Sequence, residues 1–337
     1  MNREPGMAGQ PDMGRPEVIL SVRNLTTRYR SRRRRVEACR DVSLDLRRGE
    51  VYSLVGESAC GKSTLGLTLM DLLPEGTEVT GQVVFEGRSV LDLEPEALRA
   101  LRGRDIALIF QDPMTRLDPL MTIEEHFAET LRSHGSVERA EVARLAAQAL
   151  DAVGVPPTRL RDYPHQFSGG MRQRIMIALA LVLEPALLIA DEATTSLDVV
   201  VQAQILRLLR DLQRARALTI LNITHDLGVV AEISDRVGVM YGGRLVEEGT
   251  AEEVFGSPAH PYTRGLLRSV IHMGSKELSW IDGLPPDLSD PPPGCPYTER
   301  CELAGPGCAG SLPPERRLGP THRAFCFRVE PAWEGRA

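Results

Sequence analysis

The stretch "VYSLVGESACGKSTLGLTLMDLL", Val51 to Leu73, restricts what this chain can fold into more than any other part of it. A strand-like run, a turn with two glycines and a helix-like run follow in order, and the turn matches G-x-x-x-x-G-K-[ST] from Gly56 to Ser63. Gly56 and Gly61 allow the backbone to aim N–H groups at phosphate oxygens, with Glu57, Ser58, Ala59 and Cys60 spanning the turn between them. The start of the helix adds a favourable potential for a polyanion. Lys62 brings positive charge to the outer phosphates, and Ser63, followed by Thr64, offers a hydroxyl ligand for Mg²⁺. The 40 basic residues include just two lysines, Lys62 and Lys276, so a chain that otherwise uses arginine has a lysine where the pattern demands one.

A metal-bound phosphate needs carboxylates nearby. The run "ALLIADEAT" supplies a buried strand ending in Asp191 and Glu192, at the end of the strand where ligands bind in parallel sheets. Asp191 would hold Mg²⁺, and Glu192 could polarise an attacking water. Alone, such a pair is more often a helix cap than a metal site; the phosphate loop upstream reverses that preference. Between the two elements, "FSGGMRQR" (Phe167 to Arg174) opens a helix with Ser168, Gly169 and Gly170, which suits an N-cap and an anion site equally. Downstream, "NITHDL" ends a strand with His225, which in isolation would be a structural histidine.

The organisation is that of an α/β protein with appended units. Residues 1–16, with three prolines and three glycines, have no apolar signal core and are expected to be a disordered leader on a chain that stays in the cytoplasm. From Val18 to Val55, alternating patterns predict antiparallel strands leading into a buried one. Residues from about 94 to 174 are expected to be mostly helical, with Val142, Leu145, Ala149 and Val153 near one face of a helix. The apolar run Ile175 to Ala190 is broken by Glu184 and Pro185, and divides into a buried helix and a buried strand rather than a membrane span. Later apolar runs alternate with helical ones, which implies a mostly parallel sheet; this main domain, 17–255, ends near Phe255. Residues 256–337 turn proline-rich and form a small irregular extension. Hydrophobic residues make up 42% of the chain, enough for a full core, and the net charge of -6 disfavours non-specific nucleic-acid binding. The basic run Arg32 to Arg35 reads as a solvated hairpin tip without an assigned function.

The order of these motifs resembles the ATP-binding subunits of ABC transporters, P-loop NTPases whose mostly parallel sheet carries an antiparallel β subdomain and a helical subdomain. Gln111 in "IFQDP" is similar to that family's Q-loop, Ser168 to Gly170 to its signature, Asp191 and Glu192 to its Walker B end, "SLD" (Ser196 to Asp198) to its D-loop, and His225 to its switch histidine. Tyr29 occupies the place of the aromatic residue that stacks on adenine. The resemblance implies ATP as substrate and Mg²⁺ held through Ser63, Gln111 and Asp191. It also implies a head-to-tail dimer, in which the signature acts on the partner's ATP, moving two membrane permease subunits from the cytoplasmic face of the membrane. Within the family, "QDPMTRLDPLMTI", "YPHQFSGGMRQR" and "HPYTRGLL" look like the subunits that power dipeptide and oligopeptide importers, which work with a substrate-binding protein and a second, related ATPase subunit; nickel importers are close relatives. Departures are Ala59 for a usual glycine, Phe167 and Met171 beside the signature, Ala193 for a proline and Arg116 for a small residue. None removes a charged or liganding group. The alternative class, a soluble ABC ATPase acting on nucleic acid or ribosomes, tends to carry two such domains or a long coiled-coil insertion, and neither is visible here.

Of six cysteines, Cys39 and Cys60 read as structural, while Cys295, Cys301, Cys308 and Cys326 gather in the extension with spacing C-x5-C-x6-C-x17-C. Disulfides suit secreted chains. Zinc would use four thiolates, but the tight C-x2-4-C pairs of structural zinc sites are absent. An iron–sulfur cluster accepts wider spacing on irregular loops. The resemblance to peptide-importer ATPases implies a [4Fe-4S] cluster in this extension, with zinc as the alternative. A tail with so little apolar material would gain a staple from either.

Overall fold

The computed structural model describes residues 17–30, 34–110, 116–193, 198–269 and 280–330. The elements run β1 (Val18–Arg30), β2 (Arg35–Arg47), β3 (Val51–Val55), α1 (Lys62–Thr68), β4 (Glu78–Phe85), β5 (Arg88–Ser89), α2 (Pro95–Arg104), β6 (Ile106–Ile109), α3 (Ile123–Arg132) and α4 (Arg139–Ala152). They continue with α5 (Gly169–Leu181), β7 (Leu187–Asp191), α6 (Val199–Arg216), β8 (Thr219–Thr224), α7 (Leu227–Ile233), β9 (Arg236–Tyr241) and β10 (Arg244–Thr250). The last are α8 (Ala251–Gly256), α9 (Pro261–Arg268), α10 (Pro306–Gly310), β11 (Glu315–Arg317) and β12 (Arg323–Phe325).

Two sheets organise these elements. The first is antiparallel, in the order β2-β1-β4-β5, and the second runs β11-β12-β10-β9-β3-β8-β7-β6, parallel from β9 through β6. The parallel strands are buried almost throughout because both of their faces are covered. Alternate residues serve different cores: Leu187 and Ile189 pack with the antiparallel sheet and α1, while Leu188 and Ala190 pack with α3 to α6. The central sheet therefore separates a β-rich layer from a helical one, and β3, β7 and β8 end together where a ligand can meet all three.

Several elements follow the sequence expectations and three depart from them. The run from Ile175 to Ala190 divides as expected into α5 and β7, with Glu184 at the bend in a left-handed conformation (φ 55°). Within the stretch expected to be helical, however, Ile106–Ile109 forms β6 at the sheet edge beside β7. Four apolar residues are too few to show a period, and burial on the sheet decides their conformation. In α4 the buried face is Val142, Ala146 and Leu150, with Val153 buried just beyond its end, while Leu145 and Ala149 are only partly covered. The face is rotated because the helix meets both α3 and α5.

The third departure concerns the extension, which is joined to the main sheet rather than hung from it. β12 pairs antiparallel with β10, Glu247 opposite Ala324 and Glu248 opposite Arg323, and β11 completes the edge. Tyr241 of β9, Tyr262 of α9 and Tyr297 of the cysteine-bearing loop form an aromatic trio with ring centroids 4.4 to 5.3 Å apart. At the basic run, Arg32 and Arg33 lie outside the described residues, Arg34 faces Asp287 at 3.9 Å, and Arg35 pairs with Glu78.

The seam between β10 and the extension is ionic and buried. Glu247, fully covered, accepts hydrogen bonds from the backbone N–H groups of Ala259 (2.7 Å) and His260 (2.8 Å) and meets His322 Nε2 at 2.8 Å. Replacing Glu247→Ala leaves these partners buried without an acceptor, so a loss of about 3 kcal/mol in unfolding free energy is expected. Urea denaturation of the full chain measures it, and a change within about 0.5 kcal/mol would show that the seam is not held by this carboxylate.

Candidate functional site

The phosphate-type loop is wedged between two sheets. A Cβ on Gly56 would lie 2.2 Å from the Met240 carbonyl oxygen of β9, and one on Gly61 would lie 2.1 Å from that of Ala38 in β2. Glycine is required at both places by close approach of backbone, and at Gly61 also by a φ of 104°. Ala59 adopts φ 62°, a left-handed conformation that a glycine would take without strain. The Cys60 carbonyl accepts from Gly243 N–H at 3.1 Å, and the Cys39 thiol donates to the Gly61 carbonyl at 3.5 Å, so both cysteines serve the loop's packing.

Lys62 is buried and folds back over the loop, its Nζ donating to the carbonyls of Gly56 (2.8 Å) and Glu57 (2.9 Å). The Tyr29 hydroxyl donates to Thr64 Oγ1 at 3.2 Å, which places the β1 aromatic beside the start of α1. Glu57 itself is held from the extension: its N–H donates to the Tyr262 hydroxyl at 2.9 Å, and its carboxylate forms a two-pronged pair with Arg300. Sequence reasoning passed over both Tyr262 and Arg300. "HPYTRGLL" carries the first, but nothing in its spacing tells that the tyrosine reaches a loop some 200 residues away.

At the end of β7, Asp191 Oδ1 accepts from Ser63 Oγ at 3.0 Å, joining the acidic pair to the loop. These are hard oxygen donors of the kind Mg²⁺ takes. Burial raises the Asp191 carboxyl above the usual aspartate range, against the Ser63 hydrogen bond and Lys62, with Glu192 adding to the rise. Glu192 has a left-handed backbone (φ 48°), its N–H donates to the Ile223 carbonyl of β8, and its Oε1 lies 3.1 Å from His225 Nδ1. Ser63, Asp191, Glu192 and His225 thus lie along one line from the loop to the end of β8.

The remaining candidates are elsewhere or undescribed. Gln111 and Ser196 lie outside the described residues. Ser168 caps α5, its Oγ accepting from Met171 N–H at 3.4 Å, and a Cβ on Gly170 would approach Val201 Cγ1 of α6 to 2.6 Å. Asp198 caps α6 through the N–H groups of Val200 and Val201, so the Ser168–Gly170 turn and Asp198 meet at one packing point around Val201. Among the described residues, Ser168 and Asp198 bond to the starts of their own helices and not to the phosphate-type loop.

Cys295, Cys301, Cys308 and Cys326 line a single pocket with Leu303 and Phe327, and all four are free thiols. Burial raises the thiols of Cys295, Cys301 and Cys326, and neighbouring cysteines add to it. Cys295 N–H donates to the Cys308 carbonyl at 2.8 Å, and Thr298 Oγ1 bonds the carbonyls of both. Among the described residues, no group of three or more histidines, cysteines or acids is drawn together as a metal site.

Residues 39–195 match the family described as ABC transporter, and residues 246–308 match that described as oligopeptide/dipeptide transporter, C-terminal region. The chain is 45% identical over 317 residues to the dipeptide transport ATP-binding protein DppD of Bacillus subtilis, spanning 92% of this chain and 95% of that one. It is 42% identical over 320 residues to the oligopeptide transport ATP-binding protein OppD of the same species, spanning 93% and 89%. Among solved structures, a dimeric ATP-binding cassette bound to ADP and Pi after hydrolysis aligns with a TM-score of 0.62 at 27% identity, over 69% of this chain and 98% of that one. The cbiO1 protein of Clostridium perfringens, part of the ABC transporter complex cbiONQ, aligns with a TM-score of 0.62 at 28% identity, over 72% and 92%.

The raised Asp191 carboxyl has a consequence for stability. The folded chain keeps this proton at a pH where the unfolded chain has released it, so stability from the group is full below the ordinary aspartate range and falls as pH rises through the higher folded value. Asp191→Asn removes that loss. Without nucleotide, the variant is expected to melt above the wild-type chain near neutral pH, with the difference shrinking toward zero on acidification. Thermal melts across pH check this; a variant that melts lower at neutral pH would contradict it.

Proposed function

The chain belongs to the ATP-binding subunits of ABC transporters, in the dipeptide and oligopeptide branch, and from that premise we propose how its residues hydrolyse ATP. As a member it is an ATPase whose turnover energises peptide import. The observation that carries the assignment of roles is the line Ser63–Asp191–Glu192–His225 running from the phosphate-type loop.

The loop from Gly56 to Thr64 binds the triphosphate, with Glu57, Ser58, Ala59 and Cys60 contributing backbone between the glycines. Lys62 exchanges its two carbonyl partners for phosphate oxygens, and Tyr29 is available to the adenine. Ser63 and Asp191, with Gln111, would hold Mg²⁺, which when bound supplies charge neutralisation at the phosphates. Glu192 accepts a proton from water as that water attacks the γ-phosphorus; the bond from phosphorus to the β,γ-bridging oxygen breaks, and ADP leaves with the electron pair. His225 orients the Glu192 carboxylate through the 3.1 Å contact.

Ser168, Gly169 and Gly170, whose contacts within the chain are structural, act on the ATP of a second, related ATPase subunit in a head-to-tail pair, and Asp198 lies beside that turn. Two permease subunits and a substrate-binding protein complete the importer. The chain would dock on the permeases from the cytoplasmic face; no helix among the described residues is long and apolar enough to cross a membrane.

The four-cysteine pocket is our candidate for a [4Fe-4S] cluster. Support comes from four free thiols on a common pocket and from spacing wider than structural zinc sites use. Cys295, Cys301, Cys308 and Cys326 would hold the cluster, which would cross-link the loops that carry them, and the chain's own part is to keep those loops in place through Thr298 and the aromatic trio.

Glu192→Gln is expected to retain ATP binding in the assembled transporter and to lower hydrolysis at least about a hundredfold, the scale of losing a general base. Hydrolysis at the wild-type rate would remove Glu192 from that role. Protein purified without oxygen is expected to contain about four iron and about four acid-labile sulfide per chain; a colourless protein with a single zinc would replace the cluster reading.

A further inference from the structure

Glu57 brings a negative charge to a loop that is to hold a triphosphate. It is the second residue of the loop, and an unpaired carboxylate there would repel the ligand the loop is built to hold. Arg300 answers that charge: Nη1 meets Oε2 at 2.7 Å and Nη2 meets Oε1 at 3.1 Å, with the arginine side chain 6% exposed and the glutamate 25%. The other three guanidinium donors are also used, on Tyr241 Oη (3.0 Å) and on the carbonyls of Ile281 (3.0 Å) and Asp282 (2.8 Å). A guanidinium fixed on five acceptors holds one orientation, and it holds the Glu57 carboxylate with it.

The same residue is gripped at its backbone. Tyr262, buried in the aromatic trio, accepts the Glu57 N–H, while the Glu57 carbonyl takes Lys62 Nζ. Arg300 ends a 3-10 turn, Thr298–Arg300, which Thr298 fastens to the carbonyls of Cys295 and Cys308. The extension therefore reaches the phosphate-type loop at the residue that also anchors its lysine.

We infer that Arg300 and Tyr262 are positioning residues for ATP: the extension neutralises and fixes Glu57, so that the loop presents its N–H groups and Lys62 to phosphate without a competing negative charge. The inference rests on reading Gly56–Thr64 as the ATP site. Its signature is electrostatic, because harm done by losing Arg300 comes from the carboxylate left behind.

The test uses the full chain with ATP and Mg²⁺, binding measured by equilibrium dialysis and hydrolysis measured in the assembled transporter. Arg300→Met is expected to weaken ATP binding about tenfold and raise KM in step, with kcat at saturating ATP within about twofold. Adding Glu57→Gln to Arg300→Met should restore binding to within about threefold of wild type. Tyr262→Phe, which removes just the hydroxyl, should weaken binding by about threefold, and it carries the test if Arg300→Met fails to fold. Lys62→Ala separates the levels: if it binds ATP as wild type does, the site reading falls and this inference with it. If Lys62→Ala loses ATP while Arg300→Met and Tyr262→Phe bind normally, or if Glu57→Gln does not rescue, the positioning role alone is overturned.

Discussion

Backbone-to-backbone packing of one loop is the constraint on which the rest of the molecule depends. Gly56 presses on β9 and Gly61 on β2, so the loop can form only where the central sheet and the antiparallel sheet converge. That convergence requires the first core, to which β1, β2, β4 and α1 all contribute, and it places Ser63 within reach of Asp191. Binding chemistry and layer packing are thus one problem: neither sheet can shift without deforming the loop, and a side chain at either glycine would push the layers apart.

Much of this is written in local pattern. The loop, the strand ending in Asp191 and Glu192, and the strand ending at His225 are each legible because a short apolar run meets a chemically specific end. What local pattern does not carry is long-range placement. The strand Ile106–Ile109 shows no period of its own and is decided by the β7 edge beside it. The rotation of α4 depends on which helices flank it, and the Tyr262 and Arg300 contacts to Glu57 depend on how a proline-rich extension threads back across the fold. A lone arginine between two cysteines gives no sign of its partner; only its fully occupied guanidinium does.

The extension is bound to the main sheet by charges that would be costly to bury singly. Arg236 lies between Glu50 and Glu248, and Arg323 shares Glu248 while donating to the Ser43 carbonyl at 2.8 Å. Burial works against the charge of Arg323, yet the nearby Glu248 outweighs it and holds the guanidinium above the usual arginine range. Such a network favours one register over its alternatives, since a slip of β12 by one residue would turn Arg323 away from Glu248 and toward the opposite face.

The pairing of β12 with β10 also bears on how the protein behaves in a crowded cell. Without the extension, β10 would end the sheet as a seven-residue antiparallel strand with open N–H and C=O groups, a template for other chains. With it, the sheet ends in β11, three residues reading Glu-Arg-Arg, too short and too charged to recruit a neighbour. A chain whose synthesis or proteolysis stops just short of Arg323 would keep the phosphate-type loop and the acidic end of β7 and still be prone to aggregate.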